Sequence, residues 1–241
     1  MTESTLLVRE RSLARSPRAL RVLAFTPSYG RPVMLRHCVM QMQHQTHPVD
    51  HAIFVNGPGA RPQLDYRPLL ARIPMNPMSR LVAAFGPTSA QHAHARAALA
   101  LVDLDDYDLF LKVDDDDVYE DDYVELCVRD FERRRWDCSG APSVGYIDDR
   151  DFSPTLVWED LGYYGEDPTL GVESFMPPTM AFSRKALDVV LAIEDNHTDW
   201  EDIQWRRAIY ADHGLVKRMR AGGSFHYNRH PRGVSNPNRI R

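Results

Sequence analysis

Lysine is nearly missing from this chain of 241 residues: among 29 cationic side chains it occurs only at Lys112, Lys185 and Lys217. A basic surplus is missing too, because 34 acidic residues leave a formal net charge of −5. Proteins that grip nucleic acid through its phosphates show the opposite balance, which argues against a general nucleic-acid binder. The three cysteines, Cys38, Cys127 and Cys138, are odd in number and widely spaced, and match neither a zinc pattern nor a disulfide framework. Cys38 and Cys127 fall at apolar helix positions and are expected as buried free thiols, so a reducing, cytoplasmic setting is inferred. No apolar run approaches the ~20 residues that span a bilayer. The N-terminus, with Arg9, Arg11, Arg15, Arg18 and Arg21 scattered among short apolar pieces, lacks the continuous stretch of a secretory signal.

What is present suits a globular protein. Hydrophobic residues make up 43% and charged residues 26%, enough for one domain or two closely joined halves around a sizeable core. The arginine bias provides planar forks suited to phosphate, although a GC-rich genome is the better explanation of it. Residues 1–20 read as a tail or a loosely attached arm. Arg21-Val22-Leu23-Ala24-Phe25 is the first strand, ended by Thr26-Pro27-Ser28-Tyr29-Gly30. Pro32 opens a helix striped by Met34, Leu35, Cys38, Val39 and Met42. His51-Ala52-Ile53-Phe54-Val55 is a strand stopped at Asn56-Gly57-Pro58-Gly59. Leu81 to Phe85 suggests a further strand, Ser89 to Val102 a helix, and Asp108 to Val113 a strand running into four aspartates. Tyr123, Val124, Cys127, Val128 and Phe131 then mark a helix face. Alternating strands and helices predict an α/β fold, an α/β/α sandwich with a mainly parallel central sheet. Residues 21–137 form its first half and residues 138–241 its second. In such sheets ligands settle beyond the carboxyl ends of the strands, where the segments at 26–31, 56–59 and 114–117 all lie.

Asp114, Asp115, Asp116 and Asp117 carry the strongest chemical signal. Unit charges 4 Å apart repel by about 4 kcal/mol at an effective dielectric near 20, so consecutive carboxylates at a strand mouth call for a cation. Mg2+ or Mn2+ suits them, taking one or two carboxylates plus substrate phosphates. Solvated loop acids are the bland alternative, with one acid capping the following helix; capping explains one or two of the four. A calcium loop of the EF-hand type needs glycine at the sixth position, where Tyr119 stands, and is rejected.

Leu111-Lys112-Val113-Asp114-Asp115-Asp116 resembles the DxD motif of GT-A fold glycosyltransferases, similar to the family 2 type and to the fringe-like β1,3-transferases. The resemblance covers roughly residues 21–230 through about four short motifs. It implies a GT-A-like fold, a nucleotide-sugar donor that is UDP-linked, a hydroxyl-bearing acceptor and Mn2+ or Mg2+. Asp114 would face the ribose or a metal-bound water, and Asp116 would ligate the metal bridging the donor phosphates, with Asp115 and Asp117 in support. A register shifted to Asp115 and Asp117 stays open. Thr26-Pro27-Ser28-Tyr29-Gly30-Arg31 resembles the segment that receives the base: Tyr29 would stack on uracil, Thr26 and Ser28 supply hydroxyls, and Arg31 reach a phosphate. A proline-rich turn with Tyr29 in the core is the other reading. Asn56 stands where family 2 enzymes carry an aspartate that reads base or ribose, and can make the same hydrogen bonds. In Gln91-His92-Ala93-His94-Ala95-Arg96, Arg96 is the candidate nucleotide contact, and the two histidines read equally as helix-surface residues.

The second half holds two more signals. Thr198 and Glu201 fit a capping box, which leaves Asp202 unexplained. In the resembling families a Glu-Asp pair here supplies the catalytic base. Asp202 is therefore expected to deprotonate the acceptor hydroxyl, with inversion at the anomeric carbon. Ser224 to His230 resembles the segment that sends a histidine to the metal, and His226 is preferred over His230. An imidazole ligand favours manganese. Arg229 and Arg232 are candidate diphosphate clamps. Residues 150–177 read as a long loop, in which Trp158, Tyr163 and Tyr164 suit either a sugar-binding lid or the core. Two rival readings stand beside the transferase. A sugar-phosphate nucleotidyltransferase generally shows a Gly-x-Gly-x-Arg-type loop, to which Ser28 to Pro32 is a poor match. A non-catalytic module that binds nucleotide-sugar and cation is the other.

Overall fold

The computed structural model describes residues 5–13, 19–29, 31–56, 66–86, 91–141, 143–148, 154–160, 177–194, 201–219 and 225–229. In chain order the elements are β1 (Thr5–Arg9), β2 (Val22–Tyr29), α1 (Pro32–His44), β3 (Val49–Asn56), α2 (Tyr66–Ala71), β4 (Leu81–Phe85), α3 (Gln91–Leu99), β5 (Leu109–Lys112), β6 (Val118–Tyr119), α4 (Tyr123–Arg134), β7 (Cys138–Gly140), β8 (Ser143–Asp148), β9 (Pro154–Asp160), β10 (Ala181–Ser183), α5 (Arg184–Leu191), α6 (Glu201–Ala211), β11 (Lys217–Met219) and β12 (Phe225–Arg229). Eight strands form the central sheet in the order β1-β4-β3-β2-β5-β10-β7-β11. The four consecutive strands β4, β3, β2 and β5 are mutually parallel, while β1 and β10 run against their neighbours. This is the expected α/β fold with a large, mostly parallel sheet.

Helices cover both faces, so β2 is buried from Val22 to Ser28 rather than alternating with polar residues. Val22 and Ala24 pack with Cys38 and Met42 of α1 and with Val124, Cys127 and Val128 of α4. Leu23 and Phe25 point the other way, among Ala95 and Ala98 of α3, Leu187 and Val190 of α5, and Trp205 and Ile209 of α6. Cys38, Cys127 and Cys138 are all buried.

Three expectations change. The first strand does not stop at Phe25 but continues to Tyr29. Its pairing with β5 ends at Phe25↔Lys112, and the Phe25 carbonyl accepts from the Val113 N–H at 3.1 Å. The backbone of Pro27, two residues on, faces that same side, past the end of β5, where its missing N–H breaks no ladder bond. Secondly, part of the segment read as a tail or loose arm is docked: Thr5–Arg9 pairs antiparallel with β4 as an edge strand. Arg9 ties it down by donating to the carbonyls of Leu70 at 2.9 Å and Ile73 at 2.6 Å. Thirdly, the expected loop over 150–177 contains β9, antiparallel to β8 in a second sheet of order β6-β12-β8-β9. Tyr163 and Tyr164 lie outside the described residues. The two expected halves share one sheet, since β10, β7 and β11 extend it beyond β5. Among the described residues no helix is long and apolar enough to cross a membrane.

Candidate active site at the carboxyl ends of the parallel strands

Asp114 to Asp117 leave the end of β5 and reach β6 through a tight turn, beside the last residues of β2. The turn sorts its carboxylates. The Asp115 side chain is 0% exposed, whereas those of Asp114 and Asp116 are 25% and 17% exposed. Asp115 is held inside: the Ser28 hydroxyl donates to its Oδ2 at 2.6 Å, and Arg31 Nη2 donates to its Oδ1. Arg31 Nη1 donates to Asp116 Oδ2, so one guanidinium bridges neighbouring carboxylates. Burial raises the Asp115 pKa to about 7; Arg31 opposes the shift and Asp116 adds to it. Lys112, itself only 2% exposed, donates to Asp114 Oδ1 at 2.6 Å.

Tyr119 and Gln45 were not legible as site residues. The buried Tyr119 hydroxyl accepts from the Asp114 N–H at 2.8 Å and donates to the Pro178 carbonyl at 3.2 Å, which fixes the start of the acidic turn. Gln45, just past α1, accepts from the Val124 N–H at 2.9 Å and donates to the Glu120 carbonyl at 2.8 Å. It thereby satisfies an amide in the first turn of α4, whose own N-cap residue Asp122 makes no side-chain cap bond. No local motif announces either role, since the partners lie 5 and 59 residues from Tyr119 and 75 and 79 residues from Gln45.

Several expected donor contacts have other occupations. Thr26 is fully buried within β2, its hydroxyl 2.7 Å from His51 Nε2, so it faces the core and not a base. Ser28 is also fully buried and engages Asp115. Both corrections follow from the longer strand, which carries these residues inside the sheet. Arg96 donates from Nη2 to the carbonyls of Leu191, at 2.8 Å, and of Ile193. It caps the carboxyl end of α5, where orphaned carbonyls and the helix dipole favour a cation. Tyr29 is not in the core: it is 50% exposed at the end of β2, level with Asn56 at the end of β3. His94 is buried rather than a surface residue. The side chains of Asn56 and Glu201 lie outside the described residues, as do Thr198, His230 and Arg232.

Asp202 stands in the first turn of α6 and is partly exposed. The far end of α6 lies near the amino end of β5: Lys185 donates to the Gly214 carbonyl at 2.6 Å, and the preceding residue but one, Ser183, pairs with Leu109. Eleven helical residues span roughly 16 Å. With Trp205 against Phe25 and Phe182, at centroid distances of 6.1 and 6.0 Å, this sets the Asp202 end of α6 toward the carboxyl ends of the strands.

His226 lies opposite Val118, two residues past Asp116, because β12 pairs with β6. Its Nε2 is 2.9 Å from Glu120 Oε1, and its Nδ1 is buried without a hydrogen bond. The expected trio of Asp114, Asp116 and His226 does not converge, and among the described residues no three His, Cys, Asp or Glu side chains form a metal cage. The imidazole is drawn to Glu120 instead. The two outward carboxylates still fit a hard divalent cation that completes its shell with ligand oxygens.

No protein-family model matches the sequence, and no curated protein matches it. Solved structures match the fold. TarS from S. aureus, residues 1–349 in complex with UDP-GlcNAc, superposes with a TM-score of 0.58 at 12% identity, covering 88% of this chain and 59% of that one. The same protein in complex with UDP gives 0.55 at 13% identity, over 88% and 61%. The mannosyltransferase PcManGT from Pyrobaculum calidifontis, in complex with GDP-Man and Mn2+, gives 0.58 at 14% identity, over 90% and 60%. This chain therefore spans about three fifths of the length of those chains. Its α/β architecture is the one these structures share.

Proposed function

We propose that this chain is a metal-dependent glycosyltransferase that moves a sugar from a nucleotide-sugar, UDP-linked by preference, to a hydroxyl acceptor with inversion. The observation that carries the reading is the sorted acidic turn. Asp115 is buried and bound to Ser28 and Arg31, while Asp114 and Asp116, paired with Lys112 and Arg31, stay partly exposed at the carboxyl end of a GT-A-like sheet. That supports the register of Asp114 and Asp116 over that of Asp115 and Asp117, both of which are buried. Asp116, with Asp114, would hold Mn2+ or Mg2+. His226 joins them only if it exchanges Glu120 for the metal. The bound cation would neutralise charge on the departing diphosphate.

The remaining roles belong to the chain's own groups. Asp114 faces the ribose or a metal-bound water, and the Tyr119 hydroxyl fixes its backbone. Arg31 already sits at Asp116 and is placed to reach a phosphate once donor is bound. Asp202, at the same end of the sheet, takes the proton of the acceptor hydroxyl. Tyr29 offers its exposed ring to the base. Residues 21–137 would serve the donor and residues 138–241 the acceptor. A GDP-linked donor is the second reading, favoured by the GDP-Man complex of one structural neighbour.

The test is release of nucleoside diphosphate from a panel of UDP- and GDP-sugars, with Mn2+ and with chelator. Metal-dependent release that Asp116→Ala abolishes supports the proposal. Pyrophosphate release from nucleoside triphosphates and sugar phosphates would replace it with a nucleotidyltransferase. Tight binding without turnover across an acceptor panel would leave a non-catalytic module.

A further inference from the structure

Tyr29 is a large aromatic side chain left half exposed at the mouth of the sheet, and two further rings back it. Its ring stacks on His94 of α3, with centroids 6.3 Å apart and planes 19° from parallel. His94 stacks in turn on Phe54 of β3, at 6.1 Å and 29°. Three rings from three elements thus form a column that begins in the core, where Phe54 is 6% exposed, and ends in solvent, where Tyr29 is 50% exposed. His94, at 5% exposure, is the middle ring. Burial lowers its pKa to about 4, so it is a neutral aromatic face at physiological pH.

We infer that His94 is a positioning residue for donor recognition: it fixes the plane of Tyr29, so that a nucleotide base meets a ring already held in place. The inference rests on the proposed reading of Tyr29 as the base platform and extends it one shell inward. A free surface tyrosine loses rotamer freedom when a base stacks on it. One held from behind has lost that freedom on folding, so more of the stacking energy appears as affinity. A planar ring at position 94 is what the role requires, not an imidazole nitrogen.

UDP affinity in the presence of Mn2+, measured by calorimetry, together with donor KM and kcat, tests this. His94→Ala is expected to raise the UDP Kd and the donor KM about three- to tenfold while kcat stays within about twofold, because the reacting groups are untouched. His94→Phe, which returns a ring to the column, is expected to recover most of the loss. The Tyr29→Ala, His94→Ala double variant is expected to bind no more weakly than Tyr29→Ala alone. Should the alanine variant melt too low to study, His94→Phe against His94→Leu compares a planar with a non-planar side chain of similar bulk. Wild-type UDP affinity in His94→Ala or His94→Leu, beside a clear loss in Tyr29→Ala, overturns the positioning role and leaves the platform standing. Wild-type affinity in Tyr29→Ala overturns the platform and the positioning role together.

Discussion

Asp115 and Asp116 are adjacent in sequence and opposite in environment, and their substitution should separate fold from chemistry. Asp116→Ala removes a partly exposed carboxylate and is expected to lower turnover at least about 100-fold, since metal-borne charge stabilisation is worth several kcal/mol. Its fall in melting temperature is expected to be smaller than at the buried Asp115, because Arg31 keeps Asp115 as a partner. Ser28→Ala takes a donor from the buried Asp115 carboxylate. Leaving that charge short of a partner costs about 1–3 kcal/mol, or a fall of about 3–9 °C in melting temperature for a chain of this size. A calorimetric scan of both variants checks the contrast. If Asp116→Ala melted far below Ser28→Ala, the assignment of exposed and buried roles would be reversed. The aspartates themselves were plain in the sequence, but their register was not. Four equal letters carry no mark of which side chain turns inward; that is decided by Ser28 and Arg31, more than 80 residues away.

At the scale of elements, α1 and α4 show how the acidic turn is clamped. Gln45 reaches both the Glu120 carbonyl and the Val124 amide, and Thr46 N–H donates to the Asp121 carbonyl at 2.8 Å. Gln45→Ala is therefore expected to cost about 1–3 kcal/mol and to speed hydrogen exchange at Val124 more than at amides of α6. Uniform acceleration across both helices would argue against a local clamp. Strand β2 supplies the main lesson about reading elements. Pro27 looked like a strand end because proline usually breaks pairing, yet β5 has already stopped on the side that Pro27 faces. That misplaced end carried Thr26 and Ser28 out of the core on paper. The parallel strands β2 to β5 were legible from their apolar runs and turn residues. The two-residue β6 and the three-residue β7 were not, because segments so short carry no periodicity and exist through their partners.

At the scale of the whole molecule, buried histidines make the fold sensitive to acid. His51 is fully enclosed beside Thr26, and burial lowers its pKa from 6.5 to about 3; His94 shifts the same way to about 4. Above pH 6.5 both are neutral whether folded or not, and neither adds a pH dependence. As pH falls from 6.5 toward 3, the unfolded chain takes up protons that the folded chain refuses. Stability should drop by roughly a few kcal/mol over that window. Urea midpoints at pH 7 and pH 4.5 measure it, and His51→Gln should show a shallower decline than wild type. An unchanged slope in that variant would remove His51 from the explanation.

The α/β class followed from element order. The mixed outer half of the sheet did not, because β10 inserts antiparallel between β5 and β7 from over 40 residues downstream of β7. The central claim is that Asp114 and Asp116 hold a divalent cation together with a nucleoside diphosphate. Calorimetric titration of UDP and GDP into wild type and Asp116→Ala, with Mn2+ and with chelator, addresses it most directly. The account predicts tight binding of one diphosphate, UDP by preference, that needs both Mn2+ and Asp116. Equal affinity with chelator, or in the Asp116→Ala protein, would contradict it.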